Sequence, residues 1–461
     1  MRASAVEAPQ VAESDAEHVA ALLPRQDEIG KNKAFDNPKY PNLFGPHRLL
    51  SGFGGRKIVF IASGCASAHV VALAEDGAAF TWGRNDLGQL GLGDNCTRPG
   101  PVHVAALKNK KIVAAASGKS HTLFLEESGN VFASGSSKQG CVGTNFKKTN
   151  PFEATPVAVT GLPSIAQLAC GAAFNLLLDR EGAVWSFGWS EKGVLGNGTD
   201  GEHNTAASSI KISYIAQAKP MELMRFRGMK MVQVACGAVH ALALSDDGTV
   251  FSWGSGDYGR LGHKDQKDIH VPTALPGMVA REVACGAVSS AAVGYQVTRL
   301  GVPCLGQTIL FMWGRVKSAT QNAWMYPKQE DELRGWNVHT ISLGSNHTVC
   351  HADKSVISWG TGTTNGELGF GVGGKKSSAN PAKVETLEGL KVAQLACGNA
   401  LSVVLAEAEA AIVDKLPEWT PAADAIPCKE KPGNVKEKAS AGQKRKGAAA
   451  EAKGAKGKKK Q

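Results

Sequence analysis

Apolar bulk falls at alternate positions in several short stretches of this chain, most of which end in an aromatic residue followed by glycine. The pairs are Phe80 and Trp82, Trp185 and Phe187, Phe251 and Trp253, Phe311 and Trp313, and Ile357 and Trp359. A period of two places both members of a pair on one face of a β-strand. Asp76-Gly77, Glu181-Gly182 and Asp247-Gly248 precede three of these strands and predict hairpin turns, because glycine adopts positive φ without a steric penalty.

These strands belong to a longer phrase that recurs along most of the chain and is clearest between Val234 and His263. A glycine among small residues opens each copy, at Gly64, Gly118, Gly171, Gly237, Gly286, Gly344 and Gly398. The aromatic-glycine landmark, or a degenerate form of it, ends at Gly83, Gly135, Gly188, Gly254, Gly314 and Gly360. Successive landmarks lie 46 to 66 residues apart, which is the range of propeller blades rather than of helical repeats.

The opening glycine occurs seven times and the landmark six times, so the last copy lacks the strand that would carry its landmark. We predict an all-β fold, a seven-bladed β-propeller over residues 18–406, in which the N-terminal segment His18–Lys31 pairs beside the last phrase and closes the ring. Radial stacking buries both faces of each short sheet and protects its edges. The units begin near residues 51, 108, 163, 231, 280, 341 and 391. Residues 1–17 are predicted to be disordered, 407–420 to form a short helix (Ala406 to Lys415) and cap, and 421–461 to be a disordered Lys-rich tail.

The charge of the chain is concentrated at its C-terminal end. The net charge is +10, and the residues from Lys429 onward carry eleven lysines, one arginine and three acids, a net of +9. Such a segment cannot bury enough apolar surface to fold. We predict that it tethers the protein to phosphates of chromatin or another polyanion, or serves as a nuclear address, through Lys444, Arg445, Lys446, Lys458, Lys459 and Lys460; a solubilising tail is the alternative.

Composition and motifs argue against several classes of protein. No run approaches eighteen apolar residues, so no membrane span is expected, and acidic residues interrupt the N-terminus where a signal peptide would be basic and then apolar. The ten cysteines contain no CxxC pair, so buried, reduced thiols are expected at Cys170, Cys236, Cys285 and Cys397. No nucleophile–base pair or phosphate-binding glycine loop is present, so we expect no enzyme in the sense of bond chemistry, no cofactor and no metal.

Histidines recur in one slot of the phrase, at His69, His121, His240 and His347, where Phe174 and Ser290 are assigned to the same slot in other units. Metal binding needs side chains that converge, whereas one slot in different blades is spread around a ring. We therefore predict a structural hydrogen bond inside each blade.

Two surfaces are candidates for partner binding. The first is a rim after the Trp-Gly landmarks, formed by Arg84, Asn85, Asp86, Asp257, Tyr258 and Arg260; these residues are equally explained as the shapers of a turn. The second is the long extension of the third unit, where Met221, Met224, Arg225 and Arg227 suggest a docking loop, since methionine is over-used at adaptable binding surfaces. The alternative for the extension is a longer hairpin whose methionines cap the propeller.

The phrases FTWGRNDLGQLGLGD (Phe80 to Asp94) and VACGAVHALAL resemble the repeat of the regulator of chromosome condensation family. NLFGPHRLL (Asn42 to Leu50), YGRLGHKDQKDIHVP (Tyr258 to Pro272), MYPKQEDELRGWNV (Met325 to Val338), SVISWGTGTTNGELGFG (Ser355 to Gly371) and KLPEW (Lys415 to Trp419) are similar to the second type within that family. One departure is that the long basic extension precedes the propeller in the second type and follows it here.

The resemblance implies a propeller that binds a small GTPase of the Rac, Ral or Ran class as a guanine-nucleotide exchange factor or regulator. It also implies association with chromosomes and spindle microtubules, a place in the nucleus or cytoplasm, and a monomeric state. The alternative is a chromatin- or microtubule-binding scaffold without exchange activity. The functional residues of the founding member are not carried over, because no positions here match them.

Overall fold

The computed structural model describes residues 18–22, 43–145, 149–205, 210, 212–296, 307–317, 323–407 and 410–421. The chain divides into two units, residues 1–428 and 429–461, and every described residue belongs to the first. The described strands, in chain order, are β1 (His18–Leu22), β2 (His47–Leu49), β3 (Ile58–Ala62), β4 (His69–Ala74), β5 (Ala79–Gly83), β6 (Arg98–His103), β7 (Ile112–Ser117), β8 (His121–Glu126), β9 (Val131–Ser136), β10 (Phe152–Ala158), β11 (Ile165–Cys170), β12 (Phe174–Asp179), β13 (Val184–Trp189), β14 (Glu202–Asn204), β15 (Ile212–Tyr214), β16 (Ala216–Glu222), β17 (Met231–Cys236), β18 (His240–Ser245), β19 (Val250–Gly254), β20 (Ile269–Leu275), β21 (Met278–Cys285), β22 (Ser289–Gln296), β23 (Ile309–Gly314), β24 (Trp324–Gln329), β25 (Val338–Leu343), β26 (His347–Ala352), β27 (Ser355–Gly360), β28 (Ser378–Lys383), β29 (Lys391–Cys397) and β30 (Ser402–Glu407).

The described strands form seven four-stranded antiparallel sheets and one two-stranded ribbon, which confirms the predicted all-β propeller. Six sheets use four strands that follow one another along the chain, except that the ribbon β14–β15 stands between the third and fourth strands of the third sheet. The first strand of each sheet contacts the first strand of the next, and β29 contacts β3, so the ring is closed. We number the sheets as blades 1 to 7, beginning with β3–β6.

Blade 7 joins the two ends of the described chain. Its strand order is β2-β1-β30-β29, with Ala20 opposite Val404 in the antiparallel pairing of β1 with β30. This confirms the predicted closure by the N-terminal segment for His18–Leu22; the rest of that segment, including Ile29-Gly30, lies outside the described residues. The last strand extends to Glu407, and helix α1 covers only Ala410–Val413. The helix predicted from Ala406 is therefore shorter, because Ala406 and Glu407 pair with β29.

Short 3-10 turns lie in the connections, at Ala105–Leu107, Glu191–Gly193, Met224–Phe226, Asp257–Gly259, Asp331–Leu333 and Glu385–Leu387. The predicted hairpin glycines have positive φ, 85° at Gly77, 92° at Gly182 and 84° at Gly248. In blade 1 the turn is closed by the Gly77 N–H, which donates to the Ala74 carbonyl at 2.8 Å. These hairpins lie on one face of the ring, which we call the hairpin face; the loops that follow the Trp-Gly landmarks lie on the opposite one, the Trp-Gly face.

The landmark tryptophans belong to the core between blades rather than within them. Trp253 of blade 4 is fully buried, packs with residues of blade 3, and donates its Nε1–H to the Val194 carbonyl at 2.9 Å. Trp313 packs likewise on blade 4, Trp359 on blade 5 and Trp82 on blade 7. Each blade that has an aromatic landmark therefore buries it against the preceding blade, and for Trp82 of blade 1 this requires blade 7.

The recurrent histidines also link blades, so among the four the prediction of a hydrogen bond inside the blade is correct for His69, whose Nδ1 lies 2.9 Å from Ser67 Oγ, and wrong for the others. His121 Nε2 of blade 2 lies 2.8 Å from Asn175 Oδ1 of blade 3, and Asn175 Nδ2 donates to the Cys141 carbonyl of blade 2 at 2.9 Å. We call such a contact, between a histidine Nε2 and a polar side chain of the next blade, a relay. Three further relays join His69 to Thr122 at 2.7 Å, His240 to Ser290 at 2.8 Å and His347 to Ser402 at 2.9 Å.

Ser290 is thus the partner of a histidine and not, as predicted, the occupant of the histidine slot. The slot in blade 5 belongs to Ser289, which pairs with Gly314 as His240 pairs with Gly254. Because successive strand residues face opposite sides, a one-residue shift moves the side chain from the slot to the neighbouring interface.

Thr122, Ser290 and Ser402 each donate their hydroxyl hydrogen to a carbonyl of the preceding blade. The hydroxyl oxygen must then accept from the imidazole, so the Nε2 atom carries the hydrogen in these relays. Burial lowers the pKa of His69 to about 3 and the pKa of His121 and His347 to about 4, and it also lowers that of His240. The imidazoles are neutral structural groups.

Candidate partner-binding face

A two-stranded ribbon that belongs to no blade is the most distinctive feature of the Trp-Gly face. Strand β14 pairs with β15 in the long loop of blade 3, with His203 opposite Ser213. Three isoleucines of this loop are exposed, with 87% of Ile210, 51% of Ile212 and 51% of Ile215 open to solvent. Exposed apolar residues grouped on one projecting element are typical of an interaction site.

The base of the ribbon is fixed to blade 3 and is acidic. The N–H of Ser190, directly after β13, donates to the Ile215 carbonyl at 3.2 Å, and the Tyr214 ring meets the Trp189 ring edge-on at 6.1 Å. Desolvation, together with the nearby carboxylates of Glu191 and Glu202, raises the pKa of the Tyr214 hydroxyl. The ribbon therefore combines apolar side chains with a negatively charged base.

The loop of blade 4 lies beside this base and contains three of the predicted rim residues. Lys192 in blade 3 forms an ion pair of 3.1 Å with Asp268, and this hydrogen bond raises the pKa of Lys192. Arg260 is buried, and its Nε–H donates to the Asp257 carbonyl at 2.8 Å. Its burial lowers the pKa of the guanidinium. The structure brings Asp257, Tyr258 and Arg260 together with the ribbon base.

Tyr258 is held in a backbone conformation that an L-residue rarely adopts. Its φ is 60°, its side chain is 44% exposed, and the Arg315 guanidinium lies 5.1 Å from its ring centre. Lys192 occupies the equivalent place in blade 3 with a φ of 62°. Strained residues of this kind cluster at functional sites, and both lie in the sector of blades 3 to 5.

The other predicted rim residues lie on the same face but in blade 1, away from the ribbon. Arg84 forms a bidentate pair with Asp86, with both N–O distances at 2.8 Å. Asn85 is fully buried; its Oδ1 accepts from the Leu90 N–H at 2.9 Å and its Nδ2 donates to the Cys96 carbonyl at 3.0 Å. Asn85 thus shapes the turn, which was the alternative explanation of this motif.

The predicted docking loop does not form one surface with the ribbon. Met221 lies near the end of β16, and Met224, Arg225 and Arg227 follow in the connection to blade 4 on the hairpin face. Met224 is 55% exposed, and Arg227 pairs with Glu222 at 3.5 Å. Met231, the last methionine of the extension, is part of the core. The tail residues Lys444, Arg445, Lys446, Lys458, Lys459 and Lys460 lie outside the described residues.

Within the described ranges, no group of three or more His, Cys, Asp or Glu side chains is placed to hold a metal ion. In that same part of the chain, no helix is long and apolar enough to cross a membrane. Cys170, Cys236, Cys285 and Cys397 are free and buried at the ends of first strands, as the sequence predicts. Burial raises the pKa of the Cys397 thiol to about 11.

Comparison with known proteins identifies the family. The model of the regulator of chromosome condensation (RCC1) repeat matches residues 76–125, 181–244, 247–293 and 353–405, and a related RCC1 repeat model matches residues 231–260. Protein RCC2 of Mus musculus is 37% identical over 415 residues, which cover 86% of this chain and 77% of that protein. The chain belongs to the regulator of chromosome condensation family.

Solved structures of this family's fold agree in architecture. Human WBSCR16 superposes with a TM-score of 0.68 at 22% identity, over 86% of this chain and all of that one. Prp20p of Saccharomyces cerevisiae superposes with a TM-score of 0.65 at 20% identity, over 87% of this chain and 94% of that one. At these identities the likeness shows the fold, and the chain is a regulator of chromosome condensation-type propeller with its own loops.

Proposed function

We propose that this family member binds a small GTPase of the Rac, Ral or Ran class through the Trp-Gly face of blades 3 to 5 and acts as an exchange factor or regulator. The observation that carries the proposal is the β14–β15 ribbon, an element outside the blades with exposed isoleucines and an acidic base. Asp257 and Tyr258, both exposed, extend the same surface, and the buried Arg260 holds their loop through its hydrogen bond to the Asp257 carbonyl.

An exchange factor performs no bond chemistry. It binds the nucleotide-free GTPase better than the loaded one, and by linkage it weakens nucleotide binding by the same factor. Docking of the ribbon base over the nucleotide site serves this purpose, because Glu191 and Glu202 there repel the nucleotide phosphates and compete for the lysine that binds them. The isoleucines supply the apolar area that stabilises the empty state.

The tail is proposed to supply a second, nonspecific contact to chromatin or another polyanion, microtubules included. Its net charge of +9 favours nuclear and mitotic-chromosome or spindle association, since neutralising phosphates releases counterions. Prp20p, the yeast relative, is described by its binding properties to Gsp1p and histones, which supports both kinds of partner on a propeller of this fold. A scaffold that binds chromatin or microtubules without exchange activity is the second candidate.

Release of a fluorescent GDP analogue from purified Rac-, Ral- and Ran-class GTPases tests the first candidate. We expect the full chain to accelerate release from at least one GTPase, and Ile210→Ser/Ile212→Ser/Ile215→Ser to abolish the acceleration. The matched control is Met224→Ser, an exposed apolar residue on the opposite face, which should leave it unchanged. Failure to bind any GTPase, loaded or empty, would remove this candidate.

Deletion of residues 429–461 tests the tail. We expect DNA binding by the shortened chain to fall and its dependence on salt concentration to flatten, with GDP release unaffected. Unchanged binding to DNA and to microtubules would show that the tail supplies neither contact. Tail-dependent binding without any GDP release would favour the scaffold.

A further inference from the structure

Two sequence stretches that the proposed GTPase site does not fully use converge on one cleft at the outer edge of the ring. They are the stretch from Tyr258 to Pro272 in blade 4 and the stretch from Met325 to Val338 in blade 5. The cleft has a volume of about 380 Å³, and its lining includes His263, Lys264, Met278, Tyr326 and Pro327. A volume of this order accommodates one large side chain or a small ligand.

A direct backbone contact joins the two stretches. The Lys264 N–H donates to the Met325 carbonyl at 2.7 Å, which fastens the blade 4 loop to the outer strand of blade 5. Lys264 has a φ of 73°, in the left-handed region that favours glycine. The fold thus places a lysine where a glycine would fit without strain, and the lysine side chain is exposed at the cleft. Strain retained at one surface position indicates that the side chain has a use.

The cleft offers an apolar interior and a positively charged rim. Met278 is buried in its floor, Pro276 and Pro327 add rigid walls, and the Tyr326 ring is 46% exposed. Lys328 Nζ lies 5.1 Å from the centre of that ring. Neither Lys264 nor Lys328 forms an ion pair with a described residue. The nearest acid in the loop, Asp265, accepts from the Lys267 N–H at 3.2 Å.

His263 adds a hydrogen-bond acceptor. The Ser252 hydroxyl donates to the Leu261 carbonyl at 2.7 Å, so its oxygen accepts from His263 Nε2, 2.9 Å away. Nδ1 is then the unprotonated nitrogen. Burial lowers the pKa of His263, which keeps the imidazole neutral. A ligand N–H group, such as that of a peptide backbone, could donate a hydrogen bond to Nδ1.

We propose that this cleft docks a short acidic peptide segment of a partner protein, with an apolar side chain between Tyr326 and Met278 and a neighbouring carboxylate on Lys264 or Lys328. The charge of the rim selects an anionic partner. A peptide is favoured over single-stranded nucleic acid, because nucleic acid needs a row of exposed rings on which successive bases stack. Here Lys328 lies over both the Tyr326 and the Trp324 rings, and Lys317 also lies over Trp324, so the cleft offers no row of uncovered rings.

The test is a selection of displayed 12-residue random peptides on the immobilised full chain, followed by fluorescence-polarisation affinities of the enriched peptides. We expect enrichment of sequences with an acidic residue beside a large apolar one. Their affinity should fall at least about tenfold in Lys264→Gly and in Tyr326→Ala. The ribbon variant Ile210→Ser/Ile212→Ser/Ile215→Ser should bind them normally, which separates this site from the proposed GTPase surface.

Asp353→Gly is the matched control, because Asp353 has a φ of 50° and lies in a hairpin of blade 6. Glycine adopts positive φ without a steric penalty at both positions, so Lys264→Gly and Asp353→Gly should both stay folded, as thermal unfolding can check, while only the first weakens peptide binding. Absence of enrichment, enrichment of basic peptides, or equal affinity in Lys264→Gly and the native chain would overturn the proposal. Binding of labelled oligo-dT that is lost in the same variants, without peptide binding, would assign the cleft to nucleic acid instead.

Discussion

His121 donates a hydrogen bond of 2.8 Å to Asn175 across the boundary between blades 2 and 3. Both side chains are buried, and the Asn175 side-chain N–H donates a second hydrogen bond to the Cys141 carbonyl of blade 2. Three chain segments that are distant in sequence therefore meet at one pair of residues. The chain also contains an apolar counterpart, because the equivalent positions in blades 3 and 4 are Phe174 and Ala241.

The first prediction concerns this pair. Asn175→Ala leaves the His121 N–H and the Cys141 carbonyl without their partner, and we expect a loss of about 1–3 kcal/mol in the free energy of unfolding. The double variant His121→Phe/Asn175→Ala reproduces the pair of the next interface and should be more stable than Asn175→Ala alone. Urea denaturation measures both. A double variant whose loss equals the sum of the two single losses would show that the residues do not act as a pair.

The second prediction is a loss of stability in mild acid. The four relay histidines have lowered pKa values in the fold, so the unfolded chain binds more protons below its histidine pKa of about 6.5. Stability present above that pH is lost as the pH falls toward 4, with a slope of up to about 1.4 kcal/mol per pH unit for each histidine. Glu282 opposes this, because burial raises its pKa and the fold then takes up its proton more readily.

Urea denaturation at pH 7, 6 and 5 measures the effect. This window leaves out the losses of stability due to Asp76, Glu126 and Asp247, because their lowered pKa values place those losses in stronger acid. The His121→Phe/Asn175→Ala variant should show a shallower slope than the native chain. A free energy of unfolding that stays constant or rises between pH 7 and pH 5 would contradict the prediction.

The third prediction concerns a buried carboxylate in blade 5. Lys317 Nζ lies 2.9 Å from Glu330 Oε1, and Glu330 is fully shielded from solvent. No other described residue donates to its carboxylate oxygens. Lys317→Met leaves the buried Glu330 carboxylate unpaired, and we expect it to lower the free energy of unfolding by about 3 kcal/mol. The double variant Lys317→Met/Glu330→Met, which also removes the carboxylate, should recover most of this loss.

The control for this pair is the exposed one of Lys391 and Glu407, in which 69% of the lysine side chain is open to solvent. Lys391→Met should lower the free energy of unfolding by less than about 1 kcal/mol. Thermal unfolding of all three variants provides the comparison. Equal losses in Lys317→Met and Lys391→Met would mean that the burial of Glu330 carries no penalty.

The fourth prediction concerns the closing strand. Deletion of residues 1–22 removes β1, leaves β2 without its partner and exposes the edge of β30. We expect a lower melting temperature and aggregation, because an open strand edge pairs with other chains. Deletion of residues 1–17 keeps β1 and is the matched control. Similar melting temperatures for the two shortened chains would show that β1 is dispensable.

Much of the fold followed from the sequence, because its determinants are local. The alternation that ends in Trp253 and the turn at Gly248 each depend on only a few neighbouring residues, so the sequence predicts them directly. The unequal number of glycines and landmarks predicted that a strand from the other end of the chain completes the last blade. The hydrogen-bond partners of the histidines could not be predicted in this way. Strand periodicity fixes which way His121 faces, whereas its contact with Asn175 depends on how two blades are rotated against each other.

The candidate site was predicted only in part, for a related reason. Asp257 and Arg260 were found because they follow a repeated landmark, and Asn85 follows one too but is buried in its own turn. The ribbon was anticipated only as the alternative of a longer hairpin, and the methionines named with that alternative lie outside it; β14 and β15 have three residues each and lie within an irregular insertion. The only sequence signal was its isoleucines, Ile210, Ile212 and Ile215, in an otherwise polar loop.

The pairing of β1 with β30 also sets an order of events during synthesis. The first strand to leave the ribosome can pair with β2, but its other edge has no partner until the final β-hairpin of the propeller has been translated. Blades 1 to 6 are made within that interval and can stack on one another from the N-terminal side. The hydrogen bonds between β1 and β30 form last and close the ring. A nascent chain that stalls before Ser402 therefore contains the residues of blades 1 to 6 but cannot close the ring.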